Sequence, residues 1–166
     1  MKTIEILEKL ICFDTVSANP NLNLINWCAA LIEDAGGDVT LIPDPTGKKA
    51  NLYATIGPKN RAGVMLSGHT DVVPVEGQAW TKPPFKLTLK DGKYFGRGTC
   101  DMKGFVASAL AAGLNAAKRD LHTPLHLAFS YDEEIGCIGV RSLVDMLRDA
   151  SFKPAFCIVG EPTSMQ

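Results

Sequence analysis

The 166-residue sequence predicts an α/β fold, a mixed sheet with helices on both faces. Three observations carry this. Strand-like runs alternate with segments of helical period along the chain. Asp91-Gly92 lies between two short strand-like runs, a strong hairpin signal that adds an antiparallel piece. The composition, 46% hydrophobic and 21% charged with a formal net charge of -1, suits one domain with a real core. It excludes wholesale disorder, collagen-like sequence and an electrostatically driven nucleic-acid binder. An aromatic content of 7% gives no base-stacking surface.

Each element follows from its pattern. Ile4, Leu7, Leu10 and Ile11 share one face of a helix over 3–13, with Thr3 as its cap. Leu24, Trp27, Cys28 and Leu31 repeat that spacing over 21–35, and Gly36-Gly37 stops the helix. Short strands are predicted at 38–42, 52–56 and 64–67, then at 86–89 and 94–95 around the hairpin turn. An Ala- and Leu-rich helix spans about 104–118, followed by a strand at 125–131, a helix at 138–147 and a strand at 155–159.

Glu5, Glu8 and Asp14 thread the apolar N-terminal residues, so this segment reads as an amphipathic helix and not a signal peptide. Apolar runs fall short of a bilayer span. Five scattered cysteines with no CxxC pair fit reduced thiols in a cytoplasmic protein. Cys100, Cys137 and Cys157 are expected to be small buried packing residues.

The polar residues fall at strand ends. The strand at 64–67 runs into Gly68-His69-Thr70-Asp71, that at 125–131 into Asp132-Glu133-Glu134, and that at 155–159 into Gly160-Glu161. Ligand sites in open α/β sheets gather beyond the carboxyl ends of strands, so three strands deliver His and carboxylates to one rim. Asp101, just before the helix at 104–118, lies in a loop that reaches the same region.

Singly, each residue has an ordinary account. Asp101 could cap its helix, Glu133 and Glu134 could be solvated acids opening the helix at 138, and Glu161 could be a loop acid. Together they repel and need a cation, and a His-plus-carboxylate set suits a hydrolytic zinc, cobalt or manganese site. More acids than one ion needs suggests two. His69 can ligate while Asp71, two residues on, accepts its other N–H and fixes the tautomer. Glu133 and Glu134, being adjacent, should diverge into one ligand and one proton acceptor. Pro124 between His122 and His126 argues against a helical pair, and the strand from His126 to Glu133 spans roughly 23 Å, so both histidines belong to the opposite rim in surface or structural roles.

The segments MLSGHTDVVP, FGRGTCDMKG, SYDEEIGCIGV and VGEPT, in this order and spacing, resemble the M20 family of metallo-aminoacylases and peptidases, over essentially the whole chain. GQAWTKPPF and SYDEEIGCIGVRSLV are most similar to its members that cleave N-acetyl-L-ornithine to L-ornithine and acetate in arginine biosynthesis. Succinyl-diaminopimelate desuccinylase, aminoacylase and dipeptidase activities stay open within the family, as does a non-catalytic fragment that binds metal or a partner.

The resemblance implies two divalent ions, zinc or cobalt. His69 and Glu161 would hold the first, Glu134 the second, and Asp101 would bridge them, followed by a cis peptide to Met102. Asp71 would orient His69, and Glu133 would be the general base. It implies a small N-acyl amino acid as substrate, homodimeric full-length relatives, and no nucleic-acid or membrane partner. It also implies that residues 1–166 are the N-terminal part of an incomplete catalytic domain, with the lid or dimerisation domain, the C-terminal catalytic part and the second ion's histidine outside it. Such a chain is expected to be weak or inactive alone and to expose a sheet edge and an apolar face.

Overall fold

A computed structural model describes residues 1–163; the expected domain limit at Gln166 lies outside the described residues. The elements in order are α1 (Thr3–Cys12), α2 (Leu22–Asp34), β1 (Asp38–Pro43), β2 (Ala50–Ile56), β3 (Val64–His69), β4 (Thr88–Lys90), β5 (Lys93–Phe95), α3 (Lys103–Ala116), β6 (Leu125–Ser130), α4 (Val140–Asp149) and β7 (Phe156–Val159). Five strands form one sheet in the order β1-β2-β6-β3-β7. β1 with β2 and β2 with β6 are antiparallel, whereas β3 is parallel to both β6 and β7.

The predicted α/β class holds, with differences that have physical reasons. The sheet is mixed because β6 pairs antiparallel with β2 on one side and parallel with β3 on the other; the Asp91-Gly92 hairpin forms a separate two-stranded ribbon. Asp91 (φ 50°) and Gly92 (φ 72°) both take the left-handed conformation that a tight two-residue turn demands. Thr3 is not a cap: Lys2 precedes the first turn, and its N–H donates to Glu5 Oε2 at 2.8 Å. β3 runs two residues further than its apolar pattern because parallel pairing continues to His69 opposite Ser130.

Helices cover both faces unequally. Leu52, Ala54, Ile56, Leu127 and Phe129 point to one side of the sheet and bury against Ile6, Leu10, Leu24, Ile32, Val106 and Leu110 of α1, α2 and α3. Gly113 lets α3 approach closely, since a Cβ there would lie 2.9 Å from both Ile56 Cδ1 and Leu127 Cδ1. The alternate residues of β2 face α4; Asn51 Nδ2 donates to the Gly139 carbonyl at 2.8 Å and to Ser142 Oγ at 3.0 Å. Lys103 is fully buried, its Nζ donating to the carbonyls of Leu10 and Phe13 at 3.0 and 2.8 Å, which ties the end of α1 to the start of α3.

Cysteine burial departs from expectation. Cys28 is buried, but Cys100, Cys137 and Cys157 are exposed, because each lies in a rim loop or on the outer strand β7 and not in the core. β7 leaves Phe156, Ile158 and Val159 exposed as well. Among the described residues no helix is long and apolar enough to cross a membrane.

Leu127 is central to the three-helix face and wholly inaccessible. Leu127→Ala is therefore expected to lower stability by about 3 kcal/mol. Urea unfolding followed by circular dichroism measures it; an unchanged midpoint would contradict this account of the core.

Candidate metal centre

Parallel pairing sets the site. β6, β3 and β7 run the same way, so their C-terminal ends open on one rim. β3 ends in His69 itself; β6 passes through Tyr131 and Asp132 into Glu133 and Glu134; β7 passes through Gly160 into Glu161. Gly160 keeps the ladder going, its N–H donating to the Ser67 carbonyl at 3.3 Å. Asp101 arrives from the turn before α3, and the Asp101–Met102 peptide is cis. Asp101 does not cap α3: Met102 occupies the N-cap position, and Asp101 reaches toward the rim.

The structure brings the candidate residues together. His69 is buried, and its Nε2 faces Asp101 Oδ1 at 3.0 Å, Glu161 Oε1 at 3.8 Å and Glu133 Oε2 at 3.9 Å. His69, Asp101 and Glu161 offer ligand atoms within 4.8 Å of one another, and so do His69, Glu133 and Glu134. One imidazole nitrogen serves one ion, so the two groupings compete for His69. They open onto a cavity of about 300 Å³ lined by His69, Glu133 and Glu161 among others. A nitrogen and several carboxylate oxygens at this spacing form a donor set suited to a divalent cation.

One expectation needs correction. Glu133 and Glu134 do not diverge: Asp132 is left-handed (φ 55°) and starts a turn that swings both carboxylates to the His69 side. Asp71 is buried beside His69, whose Nδ1 lies 2.9 Å from the Asp71 backbone carbonyl and 3.4 Å from carboxylate Oδ1. The carboxylate has further partners. It accepts the amides of Glu133 and Glu134 at 3.1 and 3.2 Å and the Ser17 hydroxyl at 2.6 Å.

Ser17 was not legible as a site residue, because it acts across 54 residues of sequence. Its segment docks as an isolated parallel bridge, Val16 to Val72. His122 and His126 lie away from the rim. His122 is exposed, while His126 is buried near the start of β6, stacked on Tyr53 with its Nδ1 at 2.8 Å from the Tyr53 hydroxyl. His126 thus takes the structural of the two roles expected for it, with Tyr53 and Thr55 of β2 as partners.

Comparison with known proteins agrees with this picture. The family described as peptidase family M20/M25/M40 matches residues 65–166. The acetylornithine deacetylase of Proteus mirabilis is 39% identical over 170 residues, which take in 98% of this chain and 43% of that protein. That of Shigella sonnei is 38% identical with the same coverage. The chain therefore spans less than half the length of these curated relatives. Among solved structures, an M20 family metallo-carboxypeptidase from Sulfolobus solfataricus matches with a TM-score of 0.81 at 21% identity, over 96% of this chain and 37% of its own. Human carnosine dipeptidase 1 matches with a TM-score of 0.76 at 23% identity, over 95% of this chain and 37% of its own. At such identities these two speak for the fold.

The acids leave an electrostatic signature. Burial works against protonation of His69, but Asp71, Asp101 and Glu161 outweigh it and raise its pKa to about 9. Burial, then Asp101, pushes Glu134 above the ordinary carboxylate range, and burial with Asp101 and Glu133 does the same to Glu161 against the pull of His69. Burial would raise Asp71 too, but its contacts with His69, Ser17 and the Glu133 amide hold it low. Because the folded value for His69 exceeds the unfolded one, its stabilisation is complete below pH 6.5 and is lost as pH rises toward 9. Lys103, held by burial at about 8, contributes with the opposite sign above that pH. With cations chelated, stability should therefore fall by roughly 1.5 kcal/mol between pH 6.5 and 8. Urea midpoints in EDTA measure this; His69→Gln should flatten the profile, and a flat wild-type profile would contradict it.

Proposed function

Because the chain belongs to peptidase family M20/M25/M40, we propose that it is part of a metal-dependent amidohydrolase that cleaves N-acetyl-L-ornithine to L-ornithine and acetate. The single observation that carries the reading is the convergence of His69 with Asp101, Glu133, Glu134 and Glu161 from three strand ends and one turn. The choice of acyl amino acid rests on the two deacetylases at 39% and 38% identity.

His69 and Glu161 would hold one zinc or cobalt ion, Glu134 would contribute to a second, and Asp101, grouped with His69 and Glu161, would serve both. Bound there, the ions supply Lewis acidity to the amide carbonyl and to water. Glu133 is the general base. Its carboxylate borders the cavity, accepts the Cys137 thiol at 3.3 Å, and has the reach to take a proton from the attacking water and return it to the leaving amine. Asp71 holds the loop of Glu133 and Glu134 through their amides and keeps the His69 ring in place through its carbonyl.

Residues 1–166 form the N-terminal part of a longer catalytic unit in this reading. What supports it is the 43% coverage of the relatives and the exposed Phe156, Ile158 and Val159 on the outermost strand. The second ion's remaining ligand, the lid and a dimer contact belong to the rest of that unit.

Cobalt titration of this chain, followed by its visible absorption, is expected to show one tight ion that His69→Ala abolishes. Release of ornithine from N-acetyl-L-ornithine should be slower than that of the Proteus mirabilis relative by at least about a hundredfold. In that complete relative, replacing the Glu that aligns with Glu133 by Gln should cost about a thousandfold in kcat with metal retained. Parallel assays with N-succinyl-diaminopimelate and a dipeptide separate the neighbouring activities. A chain that takes up no cobalt would overturn the reading.

A further inference from the structure

Glu133 and Glu134 sit on a loop that is gripped from outside. From one side the Asp71 carboxylate accepts both of their amides, and Ser17 donates its hydroxyl to Asp71. From the other side Lys49 Nζ donates to Asp132 Oδ1 at 2.5 Å, across 83 residues of sequence. The same Nζ donates to the Ser17 carbonyl. Ser17 is thus bound twice, by its hydroxyl toward Asp71 and by its carbonyl toward Lys49, and the two arms close behind the loop.

Lys49 is itself fixed. The Asp44 carboxylate accepts the amides of Lys48 and Lys49, each at 2.9 Å, and the Asp44 amide donates to the Lys49 carbonyl at 2.8 Å. The ammonium therefore leaves a rigid turn just before β2. Its side chain is 15% exposed and that of Asp132 10%, so water replaces neither partner readily. Asp132 is the residue whose left-handed backbone swings the following carboxylates toward His69, a conformation that costs energy in a residue with a Cβ. Its carbonyl also accepts the Ile138 amide at 3.1 Å, closing the loop.

We infer that Lys49 is a positioning residue: through Asp132 and Ser17 it holds the bend that aims Glu133 and Glu134 at the metal rim. This rests on the roles assigned to those two residues above. Lys49 touches neither of their carboxylates, so its effect passes through the loop backbone. With Lys49 removed, Asp132 loses its one ionic partner among the described residues, and the Ile138 amide on its carbonyl is left to oppose relaxation of its backbone.

The test compares Lys49→Met and Lys49→Arg with wild type in two measurements. The first is amide hydrogen exchange by NMR in EDTA, which needs no metal. Lys49→Met should speed exchange of the Glu133 and Glu134 amides by about tenfold while α1 and α3 keep their protection, and Lys49→Arg should restore it. The second is cobalt binding, where Lys49→Met should weaken affinity by about tenfold and shift the visible band, and Lys49→Arg should recover both. Should Lys49→Met fail to fold, Asp132→Asn, which keeps the shape and tolerates the left-handed backbone, gives the same two readouts. Wild-type loop protection and cobalt affinity in the variant would overturn the inference, as would a uniform loss of protection over the whole chain. A wild-type chain that binds no cobalt would instead defeat the metal reading, and the exchange measurement would still decide the role of Lys49.

Discussion

The parallel pairing of β3 with β6 on one side and β7 on the other is the constraint on which the rest depends. It places three strand ends on one rim and leaves the chain no choice about where His69, Glu133 and Glu161 emerge. The register is held by burial: Leu127 and Phe129 are wholly inaccessible against the helical layer. A slip of one residue would turn those side chains to the α4 side and His69 away from the acids. The crossover between β3 and β6 then brings Asp101 to the same place, at the start of α3.

Crowding acids on a rim has an electrostatic cost, and the fold meets it with specific donors. Asp71 lies buried beneath the cluster, where an unpartnered carboxylate would be strongly disfavoured. Instead it is satisfied by Ser17 and two loop amides. Asp71, with Asp101 and Glu161, raises the pKa of the one imidazole they surround well above its ordinary range. The same surplus of negative charge is what a divalent cation would neutralise.

Much of the fold was legible because burial writes a period into the chain. The apolar spacing of α1 and α2 located both helices to within a residue or two, and the positions of β3, β6 and β7 followed from short apolar runs ending in polar residues. The strand-end reading also gathered His69, Asp101, Glu133, Glu134 and Glu161 at one rim. Where it failed, the cause was geometry that no local pattern encodes. Adjacent carboxylates diverge on an extended strand, but β6 ends at Ser130 and the left-handed Asp132 turns the chain before them. The bonds of the Asp71 carboxylate to a loop 62 residues away had no local signal either. Cys137 and Cys157 looked like core residues by type and are exposed by position.

By itself the sequence determined which residue types stand at the ends of which strands, because hydrophobic period and chain order are local properties. It also determined that several acids follow those strand ends, since their order in the chain is fixed, although the composition as a whole is nearly neutral. The tertiary structure alone decided which carboxylate pairs with which donor, that Ser17 and Lys49 stand behind the loop, and that His126 turns inward to Tyr53. Those are contacts between segments tens of residues apart, and their geometry exists only once packing has fixed both partners in space.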